Sequence, residues 1–238
     1  MLIIYCNLKS ICYIMKTNYM NSQTKNSAKM VVFDIDGVLL GVKRGSFKEI
    51  IQYLGKEKEI KDLHTEYIRR KKHGPWGLKQ LAKLLAGTNK DYLYKIARGY
   101  VDARLQPGVD KLLKHFRKKK YIMGAISSNP DFVVQTIKEL LSLDFAEGTQ
   151  MEYLDGVATG NLTKEINRYG KADILQEKMK QYKCSSKDVI VIGDSLTDIP
   201  MSKHADTFIA FNPQKNELAD EAKVQIKSQD ISDILSIL

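Results

Sequence analysis

The chain has 238 residues, a net charge of +10, 43% hydrophobic and 28% charged residues. That composition excludes a mainly disordered or collagen-like chain, three cysteines (Cys6, Cys12, Cys184) exclude a disulfide framework and a CxxC zinc site, and no run reaches the ~20 apolar residues of a membrane-spanning helix. The positive charge is interspersed with acids, as in Lys56-Glu57-Lys58-Glu59, and its denser runs, Arg69-Arg70-Lys71-Lys72 and Arg117-Lys118-Lys119-Lys120, fall where helices end and complement the helix dipole, so neither a nucleic-acid nor a membrane partner is expected.

Residues 1–29 read as a disordered extension. Their apolar pieces, Leu2–Tyr5 and Ile11–Met15, are broken by Asn7, Lys9 and Ser10, unlike a secretory signal. Met30-Val31-Val32-Phe33 is a continuous apolar run and predicts a buried strand, ending in Asp34-Ile35-Asp36-Gly37. Residues 41–104 read as helical throughout. Ser46 predicts a helix cap, with Gly55 closing that helix. Further helices are expected from Lys56 to Lys72, from Trp76 to Leu85 after the Gly74-Pro75 break, and around Tyr92–Val101. Strand and helix then alternate: a helix from Pro107-Gly108, a strand over Tyr121–Ile126 ending in Ser127-Ser128-Asn129, and a helix over Phe132–Leu141. Asp155-Gly156, flanked by Tyr153-Leu154 and Val157-Ala158, predicts a hairpin. A helix over Lys171–Tyr182 follows, then strands at Val189–Ile192, Thr207–Phe211 and Val224–Ile226, and a terminal helix over Ile231–Leu238. The pattern predicts an α/β core (30–40 and 105–238) with a parallel sheet flanked by helices, and an all-helical insertion (41–104).

In such sheets ligands bind beyond the carboxyl ends of the strands. Three strands carry polar groups there: Asp34 and Asp36, then Ser127 and Asn129, then Asp194 and Asp198. Packed carboxylates repel unless a cation joins them, and an all-oxygen donor set favours Mg²⁺. Ser127 precedes a helix start suited to an anion, and Lys171 supplies a fixed positive charge. These are the parts of a phosphoryl-transfer site.

Phe33-Asp34-Ile35-Asp36-Gly37-Val38-Leu39, Ile126-Ser127-Ser128-Asn129, Lys171 and Gly193-Asp194-Ser195-Leu196-Thr197-Asp198 resemble the four motifs of the haloacid dehalogenase superfamily. The resemblance implies a Rossmann-like core with a cap domain, and a helical cap (41–104) inserted after the first motif is similar to the phosphoserine phosphatase branch. The resemblance implies a Mg²⁺-dependent phosphatase acting on a small phosphorylated metabolite in the cytoplasm, as a monomer or homodimer, with O-phospho-L-serine as the first candidate. A sugar, polyol or acid phosphate is the alternative, ahead of a phosphomutase or a nucleic-acid-binding protein. It implies Asp34 as nucleophile and Asp36 as acid/base, with Asp34, Asp36 (through its carbonyl) and Asp194 on the metal. Ser127, Ser128, Asn129 and Lys171 would hold the phosphoryl group, with Asp198 and Thr197 behind them. The branch carries a glutamate for the substrate ammonium where simple register gives Lys43, and an arginine for the substrate carboxylate where it gives Lys83. These two departures make Lys43 and Lys83 candidate specificity residues.

Overall fold

A computed structural model describes residues 28–42, 45–70, 77–214 and 216–238. Residues 1–27 of the extension expected over 1–29, the candidate Lys43, the Gly74-Pro75 break and Trp76 lie outside the described residues.

Seven strands form one sheet in the order β4-β3-β2-β1-β5-β6-β7. They are β1 (Met30–Phe33), β2 (Ile122–Pro130), β3 (Phe145–Leu154), β4 (Val157–Lys164), β5 (Val189–Gly193), β6 (Thr207–Phe211) and β7 (Val224–Ile226). β1 lies between β2 and β5, parallel to both, with Val31 opposite Met123 on one side and Ile190 on the other. A strand covered on both faces must be apolar at every position, and MVVF is wholly buried. Its alternate residues feed two cores. Val31 and Phe33 pack with Leu112 and Phe116, while Met30 and Val32 pack with Ile174 and Leu175.

The expected parallel sheet is corrected at one edge, where β3 and β4 pair antiparallel. The Asp155-Gly156 turn forces this, with both residues at positive φ (50° and 76°). The expected terminal helix is also corrected. Residues Ile231–Ile237 form a 3₁₀ helix, in which Asp230 accepts from the Ser232 N–H at 2.7 Å.

Among the described residues, four helices lie between β1 and the next core element: α1 (Ser46–Tyr53), α2 (Glu57–Arg70), α3 (Leu78–Lys83) and α4 (Lys90–Asp102). Two backbone bonds tie the crossings into and out of this helical segment, Gly41 N–H to Arg104 O (2.8 Å) and Gln106 N–H to Leu39 O (2.9 Å). α5 (Val109–Lys118), α6 (Asp131–Leu141) and α7 (Gly170–Tyr182) cover the sheet, and the short α8 (Ile199–Ser202) and α9 (Asn216–Glu221) follow β5 and β6. The helical segment rests on α6, where Phe132 meets Phe47 of α1 and Tyr94 of α4 edge-on, with centroids 6.4 and 6.5 Å apart. That packing holds the start of α1 over the carboxyl ends of the central strands.

Candidate active site

β2, β1 and β5 are adjacent, so the residues that follow them converge. Asp34 continues from β1 with its N–H on Ile192 O of β5 (2.9 Å). One carboxylate oxygen from each of Asp34, Asp194 and Asp198 lies within 4.8 Å of the others, and all three residues are buried. Lys171, near the start of α7 and 2% exposed, reaches Asp34 Oδ1 at 2.9 Å and Asp198 Oδ1 at 2.8 Å.

The carboxylates are not equivalent. Asp198 is fully engaged: Oδ1 accepts from Lys171, and Oδ2 accepts from the N–H groups of Asp194 (3.2 Å) and Ser195 (3.1 Å). Asp34 Oδ1 pairs with Lys171 at 2.9 Å and has no second partner among the described residues. Asp194 Oδ2 accepts from Gln214 Nε2 at 2.6 Å. Burial raises the Asp34 carboxyl well above its usual range, Asp198 adds to the rise and Lys171 opposes it. Burial also pushes Asp194 up to about 7 against the Gln214 hydrogen bond, with Asp198 adding to the rise. Burial alone would lower Lys171, but Asp198 and Asp34 outweigh it and keep the ammonium charged.

Three carboxylates around one ammonium leave an excess of negative charge, and every donor is oxygen. That set fits a divalent cation. The packing around it is tight. Gly37 has φ +80°, and a Cβ there would fall 2.0 Å from Asp194 Oδ2, so only glycine fits at that turn.

The Asp36 carboxylate stands apart from this trio and faces α1. Its Oδ2 accepts from the Ser46 N–H (3.0 Å) and from Asn129 Nδ2 (3.0 Å), and its Oδ1 accepts a short bond from Ser46 Oγ. Asn129 is fixed in turn, because its Oδ1 accepts the Phe47 N–H at 3.3 Å. Burial raises Asp36, and the Ser46 and Asn129 bonds oppose that rise.

Ser46 was expected to cap α1; Gly45 occupies the cap instead, and the Ser46 side chain crosses to Asp36. Asn129 was expected to face the phosphoryl group, but its side chain is held between Asp36 and Phe47. Ser127 is buried, and its Oγ accepts the Asn129 N–H (3.3 Å). Ser128 and Thr197 line a neighbouring cleft, and Thr197 Oγ1 lies 3.4 Å from Lys171 Nζ. Lys83 is solvent-exposed, with its backbone against Gly160 of β4, and is absent from that cleft's lining. The sequence reading missed Gln214, and a lone glutamine after β6 carries no signal.

The family model of haloacid dehalogenase-like hydrolases matches residues 28–206. This chain belongs to that family. The phosphoserine phosphatase of Methanocaldococcus jannaschii is 28% identical to this hydrolase over 213 residues, which span 88% of this chain and 97% of that one. The phosphoserine phosphatase of Archaeoglobus fulgidus is 28% identical over 215 residues, or 88% of this chain and 60% of that one. A solved phospho-aspartyl intermediate analogue of phosphoserine phosphatase superposes with a TM-score of 0.74 at 26% identity, covering 90% of this hydrolase and all of that chain. Among the described residues of the hydrolase, no helix is long and apolar enough to cross a membrane.

Proposed function

We propose that this hydrolase cleaves small phosphomonoesters through a phosphorylated Asp34. The observation that carries the reading is the buried Asp34 carboxylate, clustered with Asp194 and Asp198 and paired with Lys171 at 2.9 Å. Lys171 favours the charged, nucleophilic form of that carboxylate. Asp34 attacks phosphorus and the ester P–O bond breaks. The leaving alkoxide takes a proton from Asp36. Asp36, now a carboxylate, takes a proton from water as that water attacks phosphorus, which frees Asp34 and inorganic phosphate.

The other residues hold these two in place. Lys171 offsets charge on Asp34 and the phosphoryl oxygens. Asp198 fixes Lys171 and the Asp194-Ser195 turn. Ser127 and the Ser128 N–H supply donors to the phosphoryl group. Ser46 and Asn129 set the direction of the Asp36 carboxyl. We propose Mg²⁺ as the ion, held by Asp34, Asp194 and the Asp36 carbonyl, where it would supply positive charge to the transferring group.

The helices over residues 41–104 act as a cap in this reading. The names of the relatives make O-phospho-L-serine the first substrate to test, with sugar, polyol and acid phosphates as alternatives. The experiment is phosphate release from such a panel, with Mg²⁺ and after EDTA. EDTA-sensitive hydrolysis is expected. No release from any ester by folded, Mg²⁺-loaded protein would defeat the reading.

A further inference from the structure

A cleft of about 650 Å³ adjoins the carboxylate cluster, and Ser128 and Thr197 belong to its lining. Because Thr197 also touches Lys171, which pairs with Asp34, the cleft opens beside the Asp34 carboxylate. The α2 and α3 walls are Ile60, Leu63, Leu78 and Leu81. Both the volume and the apolar lining are those of sites that hold ligands with a sizeable apolar body, more than a three-carbon amino-acid ester provides.

The charge on the cleft is one-sided. Lys48 of α1 reaches it half-buried. No carboxylate among the described residues pairs with Lys48, and its Nζ instead sits over the Tyr67 ring, 5.9 Å from the centroid. Burial lowers the Lys48 pKa, so the ammonium has lost hydration without gaining an anion. Arg168 adds a second cation on the lining. The lining carboxylate, Glu165, lies 4.0 Å from the exposed Lys79, so the lining carries two cations to one carboxylate. An incoming anion therefore meets an unpaired cation at Lys48.

We propose that this cleft accepts leaving groups with an apolar body and an anionic substituent such as a carboxylate, and that Lys48 binds that anion. The inference rests on the phosphatase reading and names the substrate class of the same site. It ranks esters without an apolar body, phosphoserine included, below such substrates.

The test compares kcat/KM for 4-carboxyphenyl phosphate, phenyl phosphate, 4-(aminomethyl)phenyl phosphate and O-phospho-L-serine, with saturating Mg²⁺. For wild type, Lys48→Arg, Lys48→Met and Lys48→Glu each value is taken as a ratio to phenyl phosphate, and the change in that ratio between variants is free of differences in intrinsic reactivity. Wild type and Lys48→Arg should favour the carboxyphenyl ester. Lys48→Met should cut that preference by about fivefold, the scale of a partly exposed ion pair. Lys48→Glu should reverse it in favour of the aminomethyl ester. Ratios indifferent to residue 48, or a wild type that prefers phosphoserine to every aryl ester, would overturn the inference and leave the phosphatase reading standing. Failure of folded, Mg²⁺-loaded protein to hydrolyse these four esters while it hydrolyses a sugar or polyol phosphate would overturn the inference alone; failure on every ester of both panels would overturn both.

Discussion

Removing the Ser46 hydroxyl should damage the proton-transfer step more than the rest of the reaction. The hydroxyl donates to Asp36 Oδ1, while the Ser46 N–H and Asn129 Nδ2 share Oδ2. In Ser46→Ala the backbone donor and Asn129 remain, so the carboxyl keeps one anchored oxygen and loses the bond that fixes its rotation. A hydrogen bond to a charged group is worth ~1.5–3 kcal/mol, which sets a loss of ~10- to 150-fold if it is expressed wholly in the transition state. The loss should depend on the leaving group. An alkyl phosphomonoester needs the proton from Asp36 and should show most of it in kcat, with little change in KM. p-Nitrophenyl phosphate leaves as a stabilised anion and should lose only a few-fold. The Ser46 bonds hold the Asp36 pKa down against burial, so in Ser46→Ala it rises. The step that needs Asp36 as a base should then lose rate at a higher pH than in wild type. Steady-state kinetics on both substrates across pH provide the assay. Equal losses on alkyl and nitrophenyl esters would refute the reasoning, because they would place the Ser46 effect in folding or phosphoryl binding.

Two further predictions concern the acid cluster. Burial raises the folded-state pKa values of Asp34 and of Asp194, the latter to about 7, so the folded, metal-free protein binds more protons than the unfolded chain between about pH 4 and 7. Its Tm should therefore fall as pH rises through that window, and Mg²⁺ should remove the fall; a metal-free Tm that is flat or rising would contradict the account. Gly37→Ala puts a Cβ 2.0 Å from Asp194 Oδ2 in a backbone with φ +80°, and it should weaken Mg²⁺ affinity on the order of tenfold, read from the Mg²⁺ concentration needed to raise Tm. Unchanged affinity in a folded variant would remove Asp194 from the metal's ligands.

The parts of the fold with a local chemical cause were legible in the sequence. An apolar run such as MVVF has one stable place, between two parallel neighbours, and the motif acids follow from strand ends that the sheet order makes adjacent. The Asp155-Gly156 turn announced a hairpin, but not that its arms run from Phe145 to Lys164 as the sheet edge, because their burial is set by the neighbouring α3 and β2. Long-range polar contacts were not legible. Ser46 looks like a helix cap to any local rule, and only the folded chain brings it to Asp36, ten residues earlier. Asn129 sat in a motif whose expected role is phosphoryl binding, while its side chain completes the Asp36 cradle. Lys83 was placed by register alone; in the fold it is exposed and lies outside the cleft that Lys48 lines.

The central claim, that Asp34 carries the phosphoryl group, is tested most directly by trapping the intermediate. Protein mixed with Mg²⁺ and a hydrolysed phosphomonoester is quenched in acid within the first turnover, reduced with borohydride, and mapped by mass spectrometry. The account predicts conversion of Asp34 alone to homoserine, the reduction product of an acyl phosphate. It also predicts no such conversion in Asp34→Asn, whose turnover should fall by at least ~10³-fold, about 4 kcal/mol of barrier. Modification at another residue, or a folded Asp34→Asn protein with near-normal turnover, would contradict it.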